Sequence, residues 1–203
     1  MLNVNNKLHN KIADEEAFRA YFYLLLSRLL GAVADEELFG VIQNLETDSS
    51  AIGLELDKLK ALSRSISVKS AAEEYDELFI GVTKGELIPF KSYYLTGYLN
   101  EKPLAELRED MEKLGIAKSD LVAEPDDHIA FLLEMMHGLI IGSFGKPSTV
   151  TEQNKFFERH ISCWAIKFFE DLETADAANF FVPVGRIGKL FMEVEGEAFL
   201  IAA

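Results

Sequence analysis

Apolar residues along this chain recur at three- and four-residue spacing, and no stretch shows the sustained alternation of a half-buried strand. Phe18, Tyr21, Phe22, Leu25, Leu26 and Leu29 form the first stripe, with Asp14 placed to cap it and Gly31 to stop it. Asp35 restarts a shorter helix through Leu38, Val41, Ile42 and Leu45, which ends in the turn-rich run 47–50. Leu54, Leu56, Leu59 and Leu62 predict a third helix, and Ser70 leads into a fourth that Gly81 closes. Pro103 opens another, with Leu104, Leu107, Met111 and Leu114 on one face and Gly115 as its stop. Ile129, Leu132, Leu133, Met136 and Ile140 then paint one side of a strongly apolar helix. Thr149 with Glu152 makes a capping box, and the helix it starts carries Phe157, His160, Ile161, Trp164, Phe168 and Leu172 on one stripe. The last segment, 175–199, continues helically until Pro183, which removes a backbone donor and is predicted to kink or split it. The pattern predicts an all-α protein of eight or more helices, without internal repeats.

Two stretches depart from this regularity. From Gly81 to Pro103, ends included, there are three glycines, two prolines and the cluster Phe90, Tyr93, Tyr94 and Tyr98. A loop of that length inside a compact domain is uncommon and is either functional or a connector packed onto the bundle. The second is Glu124-Pro125-Asp126-Asp127-His128, directly before the apolar helix. Pro125 suits the first helical position, which places Asp126 and Asp127 in the first turn, facing the positive end of the helix dipole. An ordinary helix start, a metal or catalytic site, and a docking site for a partner all fit this ionisable mouth.

Composition narrows the choice. The 203 residues carry 34 acids against 20 bases, a net charge of −14, which argues against a nucleic-acid backbone as partner. Fifteen Phe predict an aromatic-rich core. The single Cys163 excludes an internal disulfide and a Cys-rich zinc site, and beside Trp164 it reads as a packed thiol. The polar start, residues 1–11, has no apolar signal core, and the run Tyr21–Leu26 is far shorter than the ~20 residues that span a bilayer. A soluble, cytoplasmic protein with one all-helical domain over 1–203, divided by the 81–103 loop into two helical halves, is expected.

The chemistry-bearing patterns are few. Glu134-Met135-Met136-His137 has the E-x-x-H spacing of di-iron bundles, which makes a helical metalloprotein using Glu134 and His137 the alternative reading. Such a site needs a second copy, and Glu158-Arg159-His160 is one residue short of it. There is no G-x-S-x-G elbow and no phosphate-binding G-x-x-x-x-G-K-[ST]. Asp127 and His128, adjacent on one helix, point in different directions and form no dyad. No catalytic residue, metal ligand or cofactor is therefore expected, and a helical binding protein outranks an enzyme.

The E-P-x-D-H opening resembles the hallmark of the TorD/DmsD family of redox-enzyme maturation chaperones. Tyr75-Asp76-Glu77-Leu78-Phe79 looks like that family's Y-x-x-L-F helix, and Pro89-Phe90-Lys91-Ser92-Tyr93-Tyr94 is similar to its Pro-aromatic-x-Ser-x-Tyr loop. Phe156, His160, Ile161, Trp164 and Phe168, then Phe180-Phe181 and Leu190-Phe191, follow in the family's order. The resemblance covers roughly residues 70–195. It implies a multi-helix orthogonal bundle of the TorD-like type, acting as a cytoplasmic chaperone and not as an enzyme. The implied partners are a twin-arginine signal peptide and the apo form of a molybdenum-cofactor oxidoreductase, whose export is held back until the cofactor is in place. Contact with the membrane comes only indirectly, through the export machinery, and no nucleic acid is involved. The implied peptide-binding residues are Glu124, Asp126, Asp127 and His128 at the helix mouth, with Pro89, Ser92 and Tyr94 from the loop. Carboxylates suit the planar donor fork of Arg, and an apolar groove suits the rest of such a leader. Titration of His128 would make release pH-sensitive, while Lys91 would oppose a basic ligand. Either a monomer or a domain-swapped dimer fits helices joined by such a loop.

Overall fold

The stripe from Phe22 to Leu29 forms the buried face of α1 (Asp14–Gly31) in the computed structural model, which describes residues 14–117 and 124–202. Phe18, at 58% exposure, and Tyr21 stand outside that face. Helix α2 (Glu36–Gln43) is capped by Asp35, whose Oδ1 accepts from the Leu38 N–H at 2.8 Å. Ser50 and Ser67 cap α3 (Ala51–Ser65) and α4 (Val68–Tyr75), so the fourth helix is capped three residues before the expected Ser70. It runs into a π-helical turn, Asp76–Ile80, which Gly81 ends at φ +61°; a Cβ there would lie 2.0 Å from the Lys84 carbonyl oxygen.

The expected loop 81–103 contains a short helix, α5 (Lys91–Thr96), before α6 (Lys102–Leu114) begins with Pro103 in its first turn. The central helix, α7 (Ile129–Ile141), starts four residues later than Pro125 suggested. Asp126 and Asp127 consequently lie in the turn before it, and His128 is its N-cap. Helix α8 (Val150–Phe157) has the expected capping box. The single stripe expected from Thr149 to Leu172 is interrupted by a π-helical turn, Glu158–Ser162, and α9 (Ala165–Thr174) follows. The wider turn rotates the stripe so that Phe156, Phe157, His160, Ile161, Trp164 and Phe168 all face inward. Cys163 is left at the surface, contrary to the packed thiol expected of it.

Pro183 does not break a helix. The break falls at 175–180, and α10 (Phe181–Ala202) starts so that Pro183 occupies its first turn, where a missing N–H leaves nothing unsatisfied. The other donors there are met from a distance: the Glu74 carboxylate accepts from the N–H groups of Asn179, Phe180 and Phe181 at 2.8–2.9 Å. Helix α1 packs along α7, and α10 packs on α9 and α3. One apolar cluster runs from Ala20 to Phe199, with Phe22 stacked on Phe191 and Phe39 on Phe180, each pair 5.3 Å apart. Among the described residues the regular structure is helical throughout, and no helix is long and apolar enough to cross a membrane.

Candidate functional site

The two irregular stretches meet. Phe90 and His128 form an isolated antiparallel β-bridge in an otherwise helical molecule. The Lys91 N–H donates to the Asp127 carbonyl at 2.9 Å, and the Ile129 N–H donates to the Pro89 carbonyl at 2.8 Å. Phe90 N-caps α5 but has no side chain to satisfy the donors there. Asp127 does so instead: its Oδ2 accepts from the Ser92 N–H at 2.7 Å and from the Ser92 hydroxyl. Asp127 is 0% exposed, and among the described residues its Oδ1 has no hydrogen-bond partner. A buried orphan oxygen of this kind is costly, and Glu55 Oε2 and Asn154 Oδ1 share the property among the described residues.

His128 closes the knot. Its Nδ1 accepts from the Ala130 N–H at 3.2 Å, so its proton resides on Nε2, and its ring packs edge-on to Phe90 at 4.9 Å. Burial lowers its pKa to about 4, so the ring is neutral near pH 7. The pH-sensitive release expected from it would therefore require strongly acidic conditions. Asp126 is also buried and accepts from Arg108 Nε at 2.7 Å, while Arg108 itself remains 53% exposed. Glu124 is exposed, within electrostatic reach of the Tyr75 phenol, which burial pushes up to about 12.

The structure thus brings Pro89, Ser92, Asp127 and His128 together, with Asp126 and Glu124 on the rim. Tyr94 is directed elsewhere: its ring packs on Trp164 at 5.1 Å, and its hydroxyl donates to Asp171 at 3.1 Å, seating α5 on α9. Lys91, read from the sequence as a charge opposing a basic ligand, is turned inward at 2% exposure. Its Nζ lies 3.0 Å from His160 Nδ1, and His160 Nε2 lies 3.0 Å from Asp110 Oδ2, which Arg159 also engages at 2.6 Å. Burial, with the neighbouring Lys91 charge adding, lowers the His160 pKa to about 4. The neutral ring accepts from Lys91 and donates to Asp110. Sequence reasoning missed this relay, although a histidine on an aromatic stripe was its visible trace.

The E-x-x-H pair does not converge on a metal. His137 Nδ1 donates to the Ala20 carbonyl at 2.8 Å, Glu134 is exposed, and the described residues hold no group of three side chains placed to bind an ion.

A family model described as nitrate reductase delta subunit matches residues 45–170. The chain is 27% identical to the chaperone protein TorD of Vibrio parahaemolyticus, over 90% of this chain and 94% of that one. It is 29% identical to TorD of Aliivibrio fischeri, over 92% and 96%. A crystal structure of a proposed redox enzyme maturation protein from Archaeoglobus fulgidus shares the fold at a TM-score of 0.60 and 20% identity, covering 91% of this chain and 99% of that one. The family model spans more than half of the chain, which therefore belongs to the nitrate reductase delta-subunit family, the TorD-like chaperones of redox-enzyme maturation, and not to a family of enzymes.

Proposed function

We propose that the chain binds the twin-arginine signal peptide and the apo form of a molybdenum-cofactor oxidoreductase in the cytoplasm, and delays export until the cofactor has been inserted. The observation that supports this most is the knot between the two family-like motifs: Asp127 holds Ser92, and Pro89 holds Ile129, so one rigid rim is built from segments far apart in the chain. In this reading the residues divide their work. Glu124 and Asp126 meet the leader's guanidinium groups, while Asp127, Ser92, Pro89 and His128 hold the rim in place and Tyr94 anchors α5. Arg108 keeps the Asp126 carboxylate satisfied in the free chaperone. Arg108 is half exposed while Asp126 is buried, so a ligand Arg takes over the contact by exchange, one guanidinium for another. A neutral His128 adds no repulsion toward a cationic ligand.

Calorimetric titration of the full chain with a twin-arginine leader peptide and its Lys-Lys counterpart tests the reading. Arg makes a planar, two-pronged contact with a carboxylate that Lys does not, so the Lys-Lys peptide binds about tenfold more weakly or worse. Absence of binding by the Arg-Arg peptide refutes the proposal. Undiminished binding by the double variant Asp127→Ala, His128→Ala removes these residues from the site.

A further inference from the structure

From Pro89 to Thr96, the stretch that meets the helix mouth, Lys91 is the only charged residue. Its backbone belongs to the rim, because its N–H donates to the Asp127 carbonyl. Its side chain does not. The ammonium lies 3.0 Å from His160 Nδ1, and the residue is almost fully buried. Lysines ordinarily cover only the stem and leave the head in water. Burial lowers the Lys91 pKa, with Cys163 and Glu106 acting against that. An ammonium held under such conditions needs a partner fixed in place.

His160 is that partner, and it is itself fixed from three sides. Its Nε2 lies 3.0 Å from Asp110 Oδ2, its carbonyl accepts from Trp164 Nε1 at 2.9 Å, and its ring packs on Phe156 at 5.0 Å. Asp110 is in turn engaged by Lys113 at 2.9 Å and by Arg159. Without His160, the four-carbon stem that starts on the first residue of α5 is free to turn back, and Asp127 is already within electrostatic reach of its head. At the rim the ammonium would compete with Ser92 for the Asp127 carboxylate. It would also set a positive charge beside Asp126 and Glu124. Arg108, the cation that sits on Asp126, is half exposed and exchangeable, whereas Lys91 is withheld.

We infer that His160 and Asp110 are positioning residues for leader binding: they hold the Lys91 ammonium out of the rim, so that the loop facing a cationic peptide presents no positive charge of its own. This rests on the signal-peptide reading above and deepens it, since it names what keeps that site selective for cations. The aromatic stripe that carries His160 thereby acts on a rim it does not touch.

The test measures binding of an Arg-Arg leader peptide to the full chain by calorimetry, at low and high salt. His160→Leu keeps an apolar group against Phe156 and removes the acceptor; it weakens the leader about tenfold at low salt, and high salt recovers most of the loss. His160→Gln, which retains an acceptor for Lys91 and a donor for Asp110, stays within about twofold of the wild type. The double variant Lys91→Met, His160→Leu also returns to within about twofold, because the charge to be withheld is gone. An amine-acylating reagent, read by peptide mass spectrometry, labels Lys91 in His160→Leu and spares it in the wild type. Wild-type affinity or an unlabelled Lys91 in His160→Leu overturns the inference and leaves the signal-peptide reading standing. So does a loss that Lys91→Met fails to cancel or that His160→Gln shares in full, since His160 is then structural only. Failure of the wild type to bind the leader overturns both. Should His160→Leu not fold, Asp110→Ala at the outer end of the relay decides: it weakens the leader about threefold at low salt, and Lys91→Met cancels the loss.

Discussion

Two buried carboxylates, Glu195 and Asp127, live under opposite conditions in this molecule. Glu195, on α10, receives Arg19 Nε at 2.6 Å and Nη2 at 2.7 Å, and the Tyr23 hydroxyl at 2.8 Å. Gln153 accepts from the same guanidinium at 3.0 Å, and Phe199 packs against it at 4.9 Å. Every oxygen is answered, and α1, α8 and α10 are clamped together. Asp127 receives one backbone N–H and one hydroxyl on a single oxygen, while the other oxygen has no hydrogen bond among the described residues. The first arrangement holds the bundle. The second sits where the motif segments cross, with one acceptor unmet among the described residues. Burial alone therefore says little about how a carboxylate is held; Glu55 Oε2 and Asn154 Oδ1 are likewise buried and unmet among the described residues.

The contrast can be tested, beginning with the largest effect. Glu195→Ala leaves Arg19 Nε and Nη2 and the buried Tyr23 phenol without their acceptor, with Glu16 and Gln153 still holding Nη1, and is expected to cost about 3–5 kcal/mol in urea unfolding. The next effect is acid. His128 and His160 are held neutral in the fold with pKa values of about 4, below the 6.5 of an unfolded chain, so the unfolded state binds more protons between those limits. Their contribution is complete above pH 6.5 and is lost as pH falls towards 4, on the order of 3 kcal/mol per ring. In His128→Asn, which keeps an N-cap acceptor without a ring that titrates, unfolding midpoints at pH 7 and pH 4.5 should lie closer together than in the wild type.

Asp127→Ala leaves the Ser92 N–H and hydroxyl without their acceptor and is expected to cost about 2–3 kcal/mol, less than Glu195→Ala, while abolishing leader binding. Equal losses of stability in the two variants would erase the distinction drawn here. Ser92→Ala keeps the backbone bond to Asp127 and should cost about 1 kcal/mol. Arg108→Ala is the smallest: Arg108 is half exposed and Asp126 keeps a further partner, so stability changes by less than about 0.5 kcal/mol, and leader affinity rises about threefold because no guanidinium has to be displaced. A loss of affinity in that variant would instead make Arg108 part of the binding surface.

Much of the architecture was legible from near neighbours. Asp35, the Thr149–Glu152 box, Gly81 and Gly115 act within a turn of their own position, and each ends or starts a helix where its chemistry requires. Pro183 was misread for a related reason. A proline is destructive in a helix interior and harmless in the first turn, and which of the two applied depended on Glu74, more than a hundred residues earlier, capping 179–181. The start of α7 moved likewise, because Asp127 was claimed by Ser92 across the bridge and not by its own helix. The aromatic stripe around His160 announced a buried face but not the π-helical turn that admits Lys91 beneath it.

Periodicity and caps, which depend on residues three or four positions apart, determined by themselves that this chain is helical and where most helices lie. The ordered motifs also pointed to two segments that meet, around Phe90 and His128, but not to the place of Tyr94 against α9. Tertiary structure alone decided which of those side chains face solvent and which face one another. A polar group's direction is set by the partner that can satisfy it once water is excluded, and here those partners lie 35, 69 or 176 residues away.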